Sequence, residues 1–142
     1  MDTKLDRFIS AQKRTYLIAK SEIKNGKKQS HWMWFVFPQI KGLGYSETSK
    51  FYGIENVHEA KDYLEHPILG SRLIDICNEL LLLKNKTANQ VFGSPDDLKL
   101  KSSMTLFDFI QTEKVFKNVL EKYFNGERDQ MTLNIIAASQ VI

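Results

Sequence analysis

The side chains best suited to chemistry are concentrated in the segment from residue 27 to residue 44. His31 stands beside Trp32 and close to Trp34, and Gln39 follows shortly afterwards. An imidazole, an indole N–H and a carboxamide that converge on one hollow would form a small concave site with water-excluding aromatic walls. Such a site suits a planar ligand, with Trp32 or Trp34 as the stacking surface and with His31 and Gln39 as polar contacts.

The alternative interpretation of this segment is structural. Each aromatic side chain buries about 150–250 Å² and commonly anchors a core. His31 would then pack against aromatic surface and find a hydrogen-bond partner inside the protein. The lysines at positions 27 and 28 would form a solvated, charged turn after a helix.

A second polar group is predicted on a helix that begins near Pro95. Lys99 and Ser102 are three positions apart, so their side chains reach each other on a helix. Ser102 would be a nucleophile and Lys99 its base if the lysine were desolvated. The alternative is a hydrogen bond from Ser102 to the preceding helical turn. If helix packing joins this group to the aromatic segment, Lys28 and Lys99 supply positive charge for an anionic ligand.

Other kinds of site are not indicated. His31, His58 and His66 do not follow a metal-binding spacing, and a single cysteine rules out the common zinc motifs. That cysteine, Cys77, lies in an apolar run and is predicted to be a small buried hydrophobic residue. Gly42-Leu43-Gly44 lacks the third glycine and the preceding strand of a dinucleotide-binding motif, so it is predicted to be a turn. We therefore predict no metal and no cofactor.

The composition is that of one ordinary globular domain. Of the 142 residues, 42% are hydrophobic and 26% are charged, which is sufficient for one hydrophobic core. The net charge of +3 is too small for the broad basic face of a nucleic-acid-binding protein. The longest apolar run, from Trp32 to Phe37, is too short to cross a bilayer. We predict a cytoplasmic protein whose partner is a small molecule, not a nucleic acid or a membrane, and the oligomeric state stays open.

Apolar spacing and capping signals predict an all-α fold. Apolar residues spaced by three, four or seven positions from Leu5 to Ile23 indicate a first helix that Gly26 ends. The run from Trp32 to Phe37 is predicted to be a short buried helix, because a lone strand would have no partner. Further helices are predicted at about 46–52, 56–65, 68–81, 95–109, 112–124 and from 129 onwards, and 87–92 is predicted to form one short turn. Caps are predicted at Ser46, Asn56, Thr87, Thr112 and Asp129, and Asn125-Gly126 is predicted to end the helix over 112–124. The broad apolar stripe over 68–81 predicts a central helix. Together they form a single-domain irregular bundle of about seven or eight helices over 1–142, and the tail, 137–142, is predicted to fray.

Several stretches of the chain resemble domain of unknown function family 1810: His31 to Gly44, Arg7-Phe8, Ala11-Gln12, the region of Phe92-Gly93 and Lys99, and Ser102 to Phe107. The resemblance spans nearly the whole chain and implies a mainly α-helical fold. Members are small bacterial and fungal proteins, and some are labelled calpastatin. A calpastatin is a disordered inhibitor, whereas this composition predicts a folded domain. No activity is established for the family, so the resemblance implies a fold and no residue roles.

The first functional hypothesis is a domain that binds a small planar or anionic, nucleotide-like ligand through Lys28, His31, Trp32, Trp34, Gln39, Lys99 and Ser102. One alternative is a hydrolase or transferase in which His31 is the general acid or base, because an imidazole exchanges protons near neutral pH. Another is a helical adaptor that binds proteins through the segment from Trp32 to Phe37. A pocket shared by His31, Gln39 and Lys99 favours the first two hypotheses, and an exposed apolar patch favours the adaptor.

Overall fold

The computed structural model describes residues 4–110 and 113–140, and these residues form nine helices and no strand longer than one bridge. Two of the helices, α2 and α6, have only four and five residues. The helices are α1 Asp6–Lys24, α2 Met33–Val36, α3 Glu47–Tyr52, α4 Val57–Glu65, α5 Leu69–Leu82, α6 Ala88–Phe92, α7 Asp96–Ile110, α8 Val115–Phe124 and α9 Gln130–Gln140. The predicted all-α fold is confirmed, with nine helices among the described residues where about seven or eight were predicted, because the turn predicted over 87–92 is the short helix α6.

Local capping explains where most helices begin and end. The side chains of Ser46, Asn56 and Thr87 accept hydrogen bonds from backbone N–H groups in the first turns of α3, α4 and α6. Gly26 and Asn125 adopt the left-handed conformation that ends α1 and α8. These predicted signals are confirmed, whereas the cap predicted at position 112 lies outside the described residues.

Helix α5 occupies the centre of the bundle, as its broad apolar stripe predicts. It packs against α1, α4 and α8, and the neighbouring α7 packs against α4, α6, α8 and α9. Cys77 is fully buried in α5, and burial raises the pKa of its thiol. None of the described helices is long and apolar enough to cross a membrane. Helix α9 continues to Gln140, so the predicted frayed tail is helical up to that residue, and positions 141 and 142 lie outside the described residues.

The aromatic segment folds into the short helix α2, as predicted, and then continues as extended chain. Ile40 and Ile54 form an isolated parallel bridge. The N–H of Ile54 donates to the carbonyl of Gln39 at 2.8 Å, and the N–H of Lys41 donates to the carbonyl of Ile54 at 2.8 Å. These two bonds hold the backbone on both sides of Ile40 and thereby fix the position of Gln39.

Candidate functional site

The two segments singled out in the sequence meet at a contact between Trp34 of α2 and Lys99 of α7. The ammonium nitrogen of Lys99 lies 4.0 Å from the centre of the Trp34 ring, close enough for a cation–π interaction. Both side chains line two neighbouring clefts. The fold therefore brings together two groups that are 65 positions apart in sequence.

The first cleft, which we call the aromatic cleft, has a volume of about 250 Å³. Most of its wall is apolar, and a few polar groups interrupt that wall. This combination is typical of small-molecule sites. The lining residues are Trp34, Gln39, Ile40, Leu43, Gly44, Ser49, Tyr52, Gly53, Pro95, Leu98, Lys99, Ser102, Asp129 and Met131.

Gln39 is a polar residue of this cleft whose side-chain amide has no hydrogen-bond partner among the described residues. Gln39 is 8% exposed. None of the hydrogen bonds between described residues involves its side-chain amide, although its backbone carbonyl is bonded to Ile54. The side-chain amide of Gln39 offers two donor hydrogens and a carbonyl oxygen. The amide is therefore available to a molecule in the aromatic cleft.

Ser102 and Asp129 complete the polar lining. The hydroxyl of Ser102 donates to the carbonyl of Leu98 at 3.2 Å, which is the predicted structural alternative for this serine. Asp129 caps α9, because its Oδ2 atom accepts hydrogen bonds from the Thr132 N–H at 2.9 Å and from the Thr132 hydroxyl at 2.6 Å. The Oδ1 atom of Asp129 accepts no hydrogen bond from the described residues. Sequence reasoning identified Asp129 as a cap, but nothing in the sequence indicates that it lines a cleft.

The second cleft, which we call the lysine cleft, has a volume of about 300 Å³. It shares Trp34 and Lys99 with the aromatic cleft, and most of the remaining residues predicted for the site line it. The lining residues are Lys28, His31, Trp32, Met33, Trp34, Phe35, Thr48, Asp96 and Lys99.

Asp96 offsets the charge of the lysine cleft. Its carboxylate lies 2.9 Å from the ammonium nitrogen of Lys28 and 3.1 Å from that of Lys99. Burial of Asp96 favours the neutral acid, but the two ammonium groups outweigh burial and lower its pKa below the ordinary value. Only 8% of the Lys28 side chain is exposed, so this lysine is not part of the solvated turn considered as an alternative. The three groups together carry one net positive charge.

His31 and Trp32 do not reach the aromatic cleft. His31 is exposed at the lysine cleft and therefore lies apart from Gln39. Trp32 is buried, and its ring packs against Phe37 and Phe92 at centroid distances of 6.1 and 6.3 Å. The predicted convergence of imidazole, indole and amide on one hollow is therefore replaced by two clefts, and Trp34 is the tryptophan that lines both of them.

A carboxylate that the sequence analysis missed shapes the chain before α2. Glu22, near the end of α1, accepts hydrogen bonds from the Gln29 N–H, the Ser30 N–H, the Ser30 hydroxyl and the Trp32 indole at 2.6–3.0 Å. Partial burial favours the neutral acid, but these four donors prevail and lower the pKa of Glu22 from 4.5 to about 2. Glu22 therefore fixes the segment that leads from Lys28 into α2.

We expect Glu22→Gln to lower the free energy of unfolding by about 2 kcal/mol at neutral pH, because hydrogen bonds to a charged acceptor are lost. The carboxylate has a lower pKa in the folded protein, so its contribution is complete above pH 4.5 and is lost as the pH falls towards 2. Urea unfolding of both proteins at several pH values tests this, with Glu121→Gln as a control on the exposed surface of α8. A difference between protein and variant that stays constant from neutral to acid pH would contradict this role.

The described residues do not suggest a metal site. Within 4–110 and 113–140, no three histidine, cysteine, aspartate or glutamate side chains come close enough to hold a metal ion. The chemistry that the two clefts offer is therefore that of aromatic surface, an amide, hydroxyls, a carboxylate and paired lysines.

The family follows from a comparison with known sequences. A sequence model described as protein of unknown function (DUF1810) matches residues 2–136. The chain belongs to the DUF1810 family. This confirms the resemblance found in the sequence, whereas no curated protein sequence matches the chain.

A solved structure has nearly the same fold as this chain. Rv1873 from Mycobacterium tuberculosis, a conserved hypothetical protein known from its crystal structure, superimposes on this chain with a TM-score of 0.92. The sequences are 42% identical, and the match covers 94% of this chain and 96% of that chain. Neither description gives an activity, so a function for this DUF1810 protein has to be argued from its clefts.

Proposed function

We propose that this DUF1810 protein binds a small planar ligand in the aromatic cleft. The observation that carries the proposal is the side-chain amide of Gln39, which belongs to a cleft-lining residue that is only 8% exposed and has no hydrogen-bond partner among the described residues. A ligand that donates to and accepts from this amide is favoured over an analogue that lacks those groups. Trp34 at the same cleft supplies aromatic surface for the plane of the ligand.

The lining favours a ring with both donors and acceptors on its edge. The Gln39 amide both donates and accepts, and the Oδ1 atom of Asp129 accepts from a ligand N–H group. The oxygen of Ser102 keeps its acceptor capacity, because its hydroxyl hydrogen is directed to Leu98. Nucleobases and related heterocycles carry this pattern of donors and acceptors.

The size and the rim of the cleft agree with such a ligand. A volume of about 250 Å³ lies slightly below the range of roughly 300–1,000 Å³ for ligand pockets, which suits one or two fused rings. Leu98 and Met131 at the rim are each 58% exposed. A ligand that covers these two side chains would remove apolar surface from water, which favours binding.

An anionic substituent would extend from the ring into the lysine cleft. Lys99 borders both clefts, and the group of Lys28, Lys99 and Asp96 retains one net positive charge. The ligand is thus nucleotide-like in having a ring on one side of Trp34 and one negative charge on the other. Since Asp96 offsets half of the lysine charge, the ring contributes more to recognition than the anion.

Binding without chemistry is better supported than the two alternatives. His31 is exposed and lines the cleft that Gln39 does not. Lys99 is ion-paired with Asp96, whereas a lysine that acts as a base for Ser102 needs a desolvated, apolar setting. The adaptor hypothesis needs an exposed patch from Trp32 to Phe37, but four of these six residues are buried: Trp32, Met33, Val36 and Phe37.

A ligand-dependent thermal shift across nucleobases, nucleosides, nucleotides and other heterocyclic metabolites tests the proposal. A compound at 100 times its dissociation constant should stabilise the protein by about 2.7 kcal/mol. Trp34→Leu and Gln39→Leu should each weaken its binding by about tenfold or more, since they remove stacking or hydrogen bonds. Phe109→Leu, which alters an exposed aromatic residue at the other end of α7, should leave the affinity unchanged.

Two outcomes would contradict the proposal. One is a panel in which no planar compound raises the unfolding temperature. The other is a bound compound whose affinity is the same in the protein and in the Trp34→Leu and Gln39→Leu variants, provided that both variants unfold cooperatively.

A further inference from the structure

A third cleft is lined by four cationic side chains. Its volume is about 430 Å³, and Gly53 lines both this cleft and the aromatic cleft. It is formed by the start of α1, the end of α3 and the two backbone segments of the Ile40–Ile54 bridge. We call it the basic cleft, and its lining residues are Lys4, Arg7, Lys41, Lys50, Phe51, Gly53 and Glu55.

The cations at this cleft differ in how they are paired. Arg7 is matched by Glu59 behind it, at 3.1 and 3.2 Å between guanidinium nitrogens and carboxylate oxygens. Lys41 lies 3.4 Å from Glu55, and both side chains are about half exposed, so this ion pair is weak. Lys50 is exposed and has no ion pair with any described residue. The charge of Lys50 is therefore available to an anion in the cleft.

An aromatic ring stands beside these lysines. Phe51 is 58% exposed, although its ring is held from behind by an edge-on contact with Tyr52, at 4.8 Å between centroids and 82° between planes. The Nε atom of Arg7 donates to the carbonyl of Phe51 at 2.8 Å, which fixes the backbone. An exposed ring in a fixed position next to cations is the combination with which proteins bind nucleotides through stacking and phosphate contacts.

We propose that the basic cleft binds a phosphate group carried by a ring-containing small molecule such as a nucleoside monophosphate. The phosphate lies between the ammonium groups of Lys41 and Lys50, and the ring lies on Phe51. Lysine is a common phosphate ligand, and the cleft volume is within the range of small-molecule sites. No residue that carries this proposal is one that carries the proposal for the aromatic cleft, so either can fail without the other.

Titration with adenosine 5′-monophosphate, followed by backbone amide NMR shifts, tests this site. We expect shifts at Lys41, Lys50 and Phe51 and an affinity that falls several-fold between about 50 and 200 mM salt. Lys50→Glu should weaken binding by about tenfold or more. The matched control Lys117→Glu makes the same charge change on exposed α8 and should bind as the unchanged protein does.

Two further sets of titrations distinguish the contribution of the phosphate from that of the ring, and a free phosphate compound from a nucleic acid. Phe51→Ala should weaken the binding of adenosine 5′-monophosphate but leave the binding of inorganic phosphate unchanged. Adenosine, which has no phosphate, should not shift the Lys50 signal. If hexaadenylate binds more tightly than the mononucleotide, and Lys50→Glu also weakens the binding of hexaadenylate, the phosphate that is recognised belongs to a single-stranded nucleic acid and not to a small molecule. Absence of nucleotide binding at millimolar concentration, or equal affinity in Lys50→Glu and Lys117→Glu, would overturn the proposal.

Discussion

Arg7→Leu is expected to lower the free energy of unfolding by about 3–5 kcal/mol, because it leaves a buried carboxylate without its counter-ion. The side chains of Arg7 and Glu59 are only 14% and 7% exposed, and they form a bidentate pair. The same guanidinium donates to the carbonyl of Phe51 at 2.8 Å and to that of Gly53 at 2.9 Å. One residue thus joins α1, the end of α3 and the start of α4.

Chemical unfolding of matched variants measures this effect. Lys41→Leu breaks the exposed ion pair with Glu55 on the same side of the protein and should cost less than about 1 kcal/mol. Removing both partners, as in the double variant Arg7→Leu with Glu59→Leu, should recover part of the loss, since no unpaired charge stays buried. If Arg7→Leu and Lys41→Leu cost the same, the pair of Arg7 and Glu59 does not hold these elements together.

Gly70→Ala is expected to destabilise the protein by about 3 kcal/mol and to lower its unfolding temperature by roughly 10 °C. A Cβ atom at Gly70 would lie 1.9 Å from the carbonyl oxygen of Leu64 and 2.8 Å from its carbonyl carbon. These are backbone atoms in the last turn of α4, so α5 would have to move away from α4. Alanine normally favours a helix interior over glycine by about 1 kcal/mol, so the predicted change has the opposite sign to helix propensity.

Gly93→Ala is the control for this substitution. A Cβ atom there meets nothing within 4 Å, and its positive φ of 74° alone should cost about 1–2 kcal/mol. Calorimetry or urea unfolding of the two variants separates close packing from backbone strain. A Gly70→Ala protein as stable as the unchanged chain would show that α4 and α5 do not pack as closely as described.

The fold could be predicted because its signals are local. A cap such as Thr87 and its partner Gln90 are three residues apart, and the left-handed residues Gly26 and Asn125 end helices without help from distant parts of the chain. The apolar stripe of α5 likewise needs only its own sequence. Each signal marks the start, the end or the buried face of a helix.

The site could be predicted only in part, because its geometry depends on long-range packing. The sequence identified Trp34, Gln39 and Lys99, but not that Trp32 would be the tryptophan buried in the core. Asp129 reaches the aromatic cleft because α9 packs on α7, and no local spacing encodes that contact. The order in which helices pack decides which polar groups share a cleft.

The charges were the least predictable part of the site. Lys28 follows a helix in a polar, basic stretch, which predicts solvent exposure. Its side chain is instead mostly buried, because its ammonium group forms an ion pair with Asp96, 68 positions later. An acidic residue at the start of a helix is favourable for the helix dipole, so the position of Asp96 in the sequence does not indicate that it pairs with Lys28. A net charge of +3 also gives no indication that Lys50 stands without an ion pair at a cleft that three other cations line.

The most direct test of ligand binding in the aromatic cleft uses the side-chain N–H signals of the protein. The chain has two tryptophans, so its indole N–H groups give two NMR signals that single substitutions assign. A planar compound that stabilises the protein should shift the Trp34 indole and the Gln39 amide together. The Trp32 indole, which donates to Glu22 at 2.8 Å, should hardly move. A stabilising planar compound that leaves both the Trp34 and the Gln39 signals unchanged would contradict the account.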